Sequence, residues 1–211
     1  DAVLHSPAQA GAASEHDPPG GGSVGQVSYA PPLGSVEAPA LIFLETKRLY
    51  LRNTMAGDEN VMVDYRNNEI CSLYQIGQVR DYHSISDLVF RHRNDTFSVD
   101  APFMVAAALK ESNEMIGEIV VRPKDNILFI GYTFSYKYHR QGYGLEALSA
   151  CIHTLHTMAP GWDFVSFTHP QNAASIGLLL KLGYRDYGYI SAVESQVFGK
   201  WIDPERKFRK N

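Results

Sequence analysis

The chain has 211 residues, 45% of them hydrophobic, enough to fill one sizeable core in one domain or at most two small ones. Its formal charge of −4 sits in the first 40 residues, where Asp1, Glu15, Asp17 and Glu37 meet no Lys or Arg; the rest balances, which gives no electrostatic ground for nucleic acid or an anionic membrane as partner. Cys71 and Cys151 are too few for a disulfide framework and fit a reducing, cytoplasmic compartment, and neither a membrane-spanning apolar run nor a signal or transit peptide is evident.

Residues 1–40 are rich in Ala, Gly, Pro and Ser, with breaks at Pro18-Pro19-Gly20-Gly21-Gly22-Ser23 and Pro31-Pro32, and read as a flexible arm or linker that buries too little apolar surface to offset ordering entropy. Residues 41–203 read as one folded domain, and 204–211 as a solvated basic tail. Leu44 to Arg52 alternates Leu44, Leu49 and Leu51 with charged residues, the pattern of a first strand covered on one face. A helix over Asp58 to Asn67 follows. Residues 68–83 are irregular and aromatic, and Ser84 or Ser86 is placed to cap a second helix through Val89, Phe90 and His92. Phe103 to Leu109 and Met115 to Val121 form a strand hairpin, and Lys124-Asp125-Asn126 turns into a strand over Ile127 to Phe134.

The run His139-Arg140-Gln141-Gly142-Tyr143-Gly144 joins that strand to a helix in which Leu145, Leu148, Ile152 and Leu155 recur at helical spacing. Two glycines one residue apart let backbone N–H groups converge without obstruction, and the positive end of the helix faces the same point, an arrangement for holding phosphate. Phe164 to Thr168 is a short strand. Asn172 then caps a helix through Leu182 that stops at Gly183, and Tyr184 to Ile190 with Ser195 to Ile202 makes a closing hairpin. The order predicts a mixed α/β fold (α+β): a mostly antiparallel central sheet with a parallel crossover around the long helix, flanked by helices.

These residues resemble the GNAT acetyl-CoA-dependent N-acetyltransferases over about residues 42–202. His139, Gly142 and Gly144 match the acyl-CoA signature, Gln/Arg-x-x-Gly-x-Gly/Ala, at the start of the long helix. Asn172-Ala173-Ala174-Ser175 with Lys181-Leu182-Gly183-Tyr184 is similar to the family's Asn-x-x-Ser to Lys-x-Gly-Phe block, and Leu44 to Arg52 looks like the first strand of the RimJ/RimL-like branch, which acetylates α-amino groups of ribosomal proteins. Two positions depart from the pattern: His139 stands where Gln or Arg is usual, and Leu179 where many relatives carry a general-acid tyrosine.

The resemblance implies acetyl-CoA as cosubstrate, its pyrophosphate on the N–H groups of Arg140, Gln141, Gly142, Tyr143, Gly144 and Leu145, and its pantetheine arm along Tyr132, Thr133 and Phe134. An acceptor ammonium must lose a proton before attacking a thioester. Glu118 is the first candidate base, with His139 and His169 as alternatives; Ser175 is the nearest motif hydroxyl for the CoA thiolate, and Asn172 is a cap or a cofactor contact.

Tyr65, Tyr74 and Tyr82 fall in the segment that frames the acceptor in this fold, and Asp64, Glu69 and Asp81 of the same region are candidates for an acidic rim. His153 and His156 share a helical face without an evident third ligand, so no metal is expected. The sequence thus points to acetyl transfer onto a primary amine, a protein or peptide α-amino group first, by a monomer or homodimer. A small-molecule amine acetyltransferase, acting on an antibiotic or polyamine, and a non-catalytic acyl-CoA-binding module are the alternatives.

Overall fold

The computed structural model of the protein describes residues 40–203, so the predicted arm, apart from its last residue, and the predicted basic tail lie outside the described residues. Strands β1 (Ile42–Glu45), β2 (Leu49–Arg52), β3 (Phe103–Leu109), β4 (Met115–Lys124), β5 (Ile127–Phe134), β6 (Asp163–Thr168), β7 (Arg185–Ile190) and β8 (Ser195–Lys200) form an eight-stranded sheet. Its order is β1-β2-β3-β4-β5-β6-β8-β7. Helices α1 (Asp58–Asn67), α2 (Glu69–Ser72), α3 (Tyr82–His92), α4 (Tyr143–Met158) and α5 (Ala173–Lys181) complete the fold.

Strand alternation divides the core. Leu49, Leu51, Val105, Ala107, Ile119 and Val121 face one way and pack with Leu148, Ile152 and Leu155 of α4 and Leu179 of α5. Met104, Ala106 and Met115 face the other and pack with Met62 and Tyr65 of α1 and Ile85 and Val89 of α3. Each fully buried Leu, Ile or Met side chain contributes about 1.5–3 kcal/mol. A buried ion pair ties these layers: Arg52 donates to both oxygens of Asp58, at 2.8 and 2.9 Å, and so anchors α1 to β2.

Three local expectations change. The first strand is two, β1 and β2, because Thr46 folds back onto Leu49 and closes a turn over Thr46–Arg48. The cap of α3 is Asp81, which accepts from the Ser84 N–H at 2.9 Å, rather than Ser84 or Ser86; the helix begins two residues before the first of those serines. The short helix α2 lies inside the stretch read as irregular. Among the described residues no helix is long and apolar enough to cross a membrane.

The sheet splays open between β5 and β6. These two strands are the parallel neighbours, in register only from Ile127↔Asp163 to Phe129↔Val165. The Ser166 hydroxyl still reaches the Ile130 carbonyl at 2.8 Å, and beyond it the two strands separate.

Candidate active site

The separation of β5 from β6 exposes backbone. Ser135 N–H donates to the Ile116 carbonyl, and hydrogen-bonded pairs alternate along an antiparallel ladder, so Thr133 spends its main-chain groups on Glu118 of β4. Tyr132 and Phe134 turn theirs into the gap. The Phe134 carbonyl is engaged there, by His139 Nε2 at 2.9 Å and Cys71 Sγ at 3.4 Å.

After β5 and a 3-10 turn over Tyr136–Tyr138 the chain reaches the glycine turn, where Arg140 at φ 63° and Gly142 at φ 82° are left-handed, and α4 begins at Tyr143. Its first-turn N–H groups lack intrahelical partners and point out of the N-terminus. An added Cβ at Gly142 would find only an Arg48 nitrogen, at 3.5 Å, so the space over the turn is open.

Arg48 braces this turn from outside the motif. Its guanidinium donates to the Gln141 carbonyl at 3.0 Å, lies over the Tyr143 ring at 4.0 Å, and pairs through Nε with Glu146 at 2.7 Å. Glu146 also accepts from the Thr46 hydroxyl at 2.6 Å and the Arg48 N–H at 2.8 Å. Burial pushes the Glu146 carboxyl up, and the bonds from Thr46 and Arg48 outweigh it, holding the group below its ordinary value.

On the α1–α3 face of the sheet, next to the gap, lies a cleft of about 410 Å³. Glu118 stands on its floor, 1% exposed. Both Glu118 oxygens accept from Arg66 Nη2 at 2.7 Å, and Oε1 also accepts from Gln78 Nε2 at 3.0 Å, which bonds Thr133 Oγ1 at 3.2 Å. The Tyr65 hydroxyl, buried beside Glu118 and Arg66, stays protonated: burial first, and the Glu118 charge second, hold its pKa well above the ordinary value.

Where the cleft meets the gap, Tyr132 Oη lies 2.8 Å from Ser175 Oγ. Asn172 caps α5 by accepting from the Ser175 N–H at 3.1 Å. Burial pushes the Tyr132 phenol up to about 12. Leu179, one turn further along α5, is 1% exposed in the core. His169 lines the cleft with its ring stacked on Tyr74, centroids 4.9 Å apart; His139 is turned back onto β5.

The cleft walls differ from expectation. Of the three tyrosines, Tyr74 lines the cleft, whereas Tyr65 lies on the buried face of α1 beneath it and Tyr82 is exposed in the first turn of α3. The acidic rim does not form: Asp64 pairs with Lys137 at 2.8 Å, Asp81 caps α3, and Glu69 is in the exposed first turn of α2. Arg66, Gln78 and Arg48 are site residues that sequence reasoning missed, since nothing local in the chain links them to Glu118 or to the glycine turn. His156 stacks on Trp201 at 3.7 Å, and among the described residues no group of three His, Cys, Asp or Glu side chains is placed to hold a metal.

This architecture recurs in solved structures. A GNAT-family acetyltransferase from Bacillus anthracis superposes with TM-score 0.64 at 19% identity, covering 75% of this chain and 96% of its own. The ribosomal alpha-N-protein acetyltransferase RimL in complex with coenzyme A gives 0.62 at 16% identity, with 77% and 98% covered, and a ribosomal-protein-alanine acetyltransferase from Vibrio fischeri gives 0.58 at 15%, with 79% and 98% covered. At these identities the likeness is one of fold. No curated protein matches the chain in sequence. The family model described as acetyltransferase (GNAT) domain matches residues 48–185, which takes in the glycine turn, Glu118 and the Asn172–Ser175 block, and the chain belongs to the GNAT acetyltransferase family.

Proposed function

We propose that the protein transfers an acetyl group from acetyl-CoA directly to an α-amino group of a protein or peptide, with Glu118 as the base. The observation that carries this reading is the position of Glu118: a buried carboxylate on the floor of a cleft that meets the opened edge of β5. The open space over Gly142 and the left-handed backbone at Arg140 and Gly142 suit a pyrophosphate, and the main chain of Tyr132 suits an amide-bearing arm. Bound acetyl-CoA would supply an acyl group activated as a thioester. The RimL structure, solved with coenzyme A, supports a donor of that kind and a protein α-amino acceptor.

The residues divide the work between acceptor and leaving group. Glu118, directly or through one water, takes the proton that the acceptor ammonium must lose, a contribution of about 10²- to 10⁴-fold. Arg66 and Gln78 hold the carboxylate in place from the wall side. The Tyr132 N–H faces the gap and is placed to bond the carbonyl oxygen that gains charge during attack. The departing thiolate meets the Tyr132 and Ser175 hydroxyls, which takes over at this site what Leu179 cannot do. A phenol held at about 12 is a weaker acid than a thiol, whose ordinary value is about 8.5. Tyr132 therefore stabilises the thiolate by donating a hydrogen bond and keeps its own proton; the thiolate is neutralised by the second proton, which the nitrogen sheds as the amide forms.

Glu118→Gln tests the reading. Turnover on a peptide acceptor should fall at least about 100-fold while acetyl-CoA affinity is retained. Undiminished turnover across the pH range would remove Glu118 as the base, and coenzyme A binding without turnover on any acceptor would mark the protein as a binding module.

A further inference from the structure

The acceptor cleft holds a second polar group that is fixed from behind, as Glu118 is. His92, the last residue of α3, has its Nδ1 2.7 Å from Asp95 Oδ2. The same oxygen accepts from the Met104 N–H at 2.8 Å, so β3 holds the carboxylate and the carboxylate holds the ring. A carboxylate on Nδ1 keeps the proton there in the neutral imidazole and leaves Nε2, on the opposite edge, as a hydrogen-bond acceptor. The ring lines the cleft, and the side chain is 24% exposed.

Sheet register places this group relative to the base. Ala106, Glu118 and Thr133 stand side by side across β3, β4 and β5, and the next rung on the same face is Met104, Val120 and Gly131. The two rungs are about 7 Å apart and neighbouring strands about 5 Å. His92, tied through Asp95 to Met104, therefore stands one rung on from Glu118, on the β3 side of the cleft. An extended peptide whose amine sits at Glu118 brings the side chain of its first or second residue to that rung. What lies between is apolar and open. Val79, Met104, Val120 and Leu88, one helical turn before His92, line the cleft there. Gly131 contributes no side chain, and an added Cβ would find nothing within 4 Å.

We infer that the stretch from Gly131 to the His92–Asp95 pair is a specificity pocket for the side chain of the acceptor's first or second residue, and that it takes a tyrosine. An apolar recess that ends in a hydrogen-bond acceptor fits a side chain with an apolar body and a donor at its tip: the ring packs on Leu88 and Val120, and the hydroxyl donates to His92 Nε2. Serine and threonine are too short to cross the apolar stretch, and lysine loses more side-chain freedom in doing so. The inference rests on the reading of the protein as an α-amino acetyltransferase and names a side chain that this reading leaves open.

The experiment uses two series of synthetic peptides, one with Tyr, Phe or Ala at position one and the other with the same three at position two, and measures initial rates of thioester cleavage. In one of the series Tyr should exceed Phe in kcat/KM about three- to tenfold, the worth of one hydrogen bond. Phe should exceed Ala about tenfold or more, from the apolar surface that the pocket covers. His92→Phe should bring the Tyr-to-Phe ratio to about one, and Gly131→Leu should reverse the order of Phe and Ala by filling the recess. Ratios taken within one variant cancel any loss of folded enzyme, so damage to the fold cannot imitate either result. Equal rates for Tyr and Phe in both series would overturn the inference and leave the transferase reading standing. So would a ratio unmoved by His92→Phe, which would mean that the His92–Asp95 pair only closes the end of α3. Failure of every peptide, with turnover confined to small amines, would overturn the α-amino reading and this inference together.

Discussion

The Tyr132 hydroxyl lies 2.8 Å from that of Ser175, and the two come from opposite sides of the donor gap, one from β5 and one from the first turn of α5. The pair puts a phenol beside the motif serine even though position 179 is a buried leucine. Tyr132→Phe should lower kcat by about 10- to 100-fold, the worth of a hydrogen bond to a developing charge, with little change in the KM for acetyl-CoA. Ser175→Ala should do less, since it leaves the phenol in place. A Tyr132→Phe enzyme with full kcat would remove the hydroxyl from the mechanism.

The same phenol gives a pH prediction. Burial favours its neutral form, so Tyr132 contributes stability that is fully present below about pH 10, the ordinary phenol value, and lost as pH rises through about 12. The hydrogen-bond donor is the protonated form, so this group imposes no alkaline loss of rate at pH 9–10. The difference in tyrosinate absorbance between the native protein and Tyr132→Phe on alkaline titration checks this, and a step centred near 10 would contradict it.

Glu118 and Arg66 form a buried pair, so removing either partner strands a charge. Arg66→Leu should destabilise the fold by about 3–5 kcal/mol, measured by denaturant unfolding. Gln78→Ala removes one bond to the Glu118 carboxylate without stranding a charge, and should reduce turnover by a smaller factor, about three- to tenfold, while the stability changes by about 1 kcal/mol. Arg66→Leu with unaltered stability would show that the pair is not closed in solution.

How much of the fold and the site can be read in the chain depends on how far each signal extends along it. The turn from His139 to Gly144 and the cap at Asn172 are local: their glycine, apolar and capping residues lie within a few positions of one another, and the structure has both where the sequence puts them. Glu118 is identifiable as a candidate only because it sits in a strand hairpin, and half of the strand's residues face the wrong side. Its partners come from 52 and 40 residues earlier in the chain, and the brace of Arg48 on Glu146 spans 98. Such contacts exist only once β2, α1 and α4 are packed. The acidic rim fails for a related reason: Asp64 and Asp81 are close to the cleft in sequence, but each has a nearer electrostatic partner, Lys137 for one and the N-terminus of α3 for the other.

Gly131 is the place to separate acceptor from donor. Its α1–α3 face opens on the cleft beside Glu118, and an added Cβ there meets nothing within 4 Å, so a larger side chain enters empty space rather than the core. Gly131→Leu should leave acetyl-CoA binding unchanged and raise the KM for peptide acceptors at least about tenfold, because the side chain fills volume the acceptor needs. Steady-state kinetics with each substrate varied in turn measures both effects. An unchanged acceptor KM would place the acceptor elsewhere.

The brace on the glycine turn governs the donor side. Glu146 holds Thr46 and Arg48, and Arg48 holds the Gln141 carbonyl and covers Tyr143, so the turn's shape depends on a carboxylate in the first turn of α4. Glu146→Gln keeps the size of the side chain and loses the charge that orients Arg48. The KM for acetyl-CoA should rise about three- to tenfold with kcat nearly unchanged, since the effect is on holding the donor and not on the reacting atoms. Gly142→Val should be far more severe: a branched residue at φ 82° is strained by about 1–2 kcal/mol, and its side chain occupies the space over the turn. Calorimetric titration with coenzyme A should give weakened binding for the first variant and none for the second. Normal affinity in Gly142→Val would mean that the donor phosphates are not held on this turn.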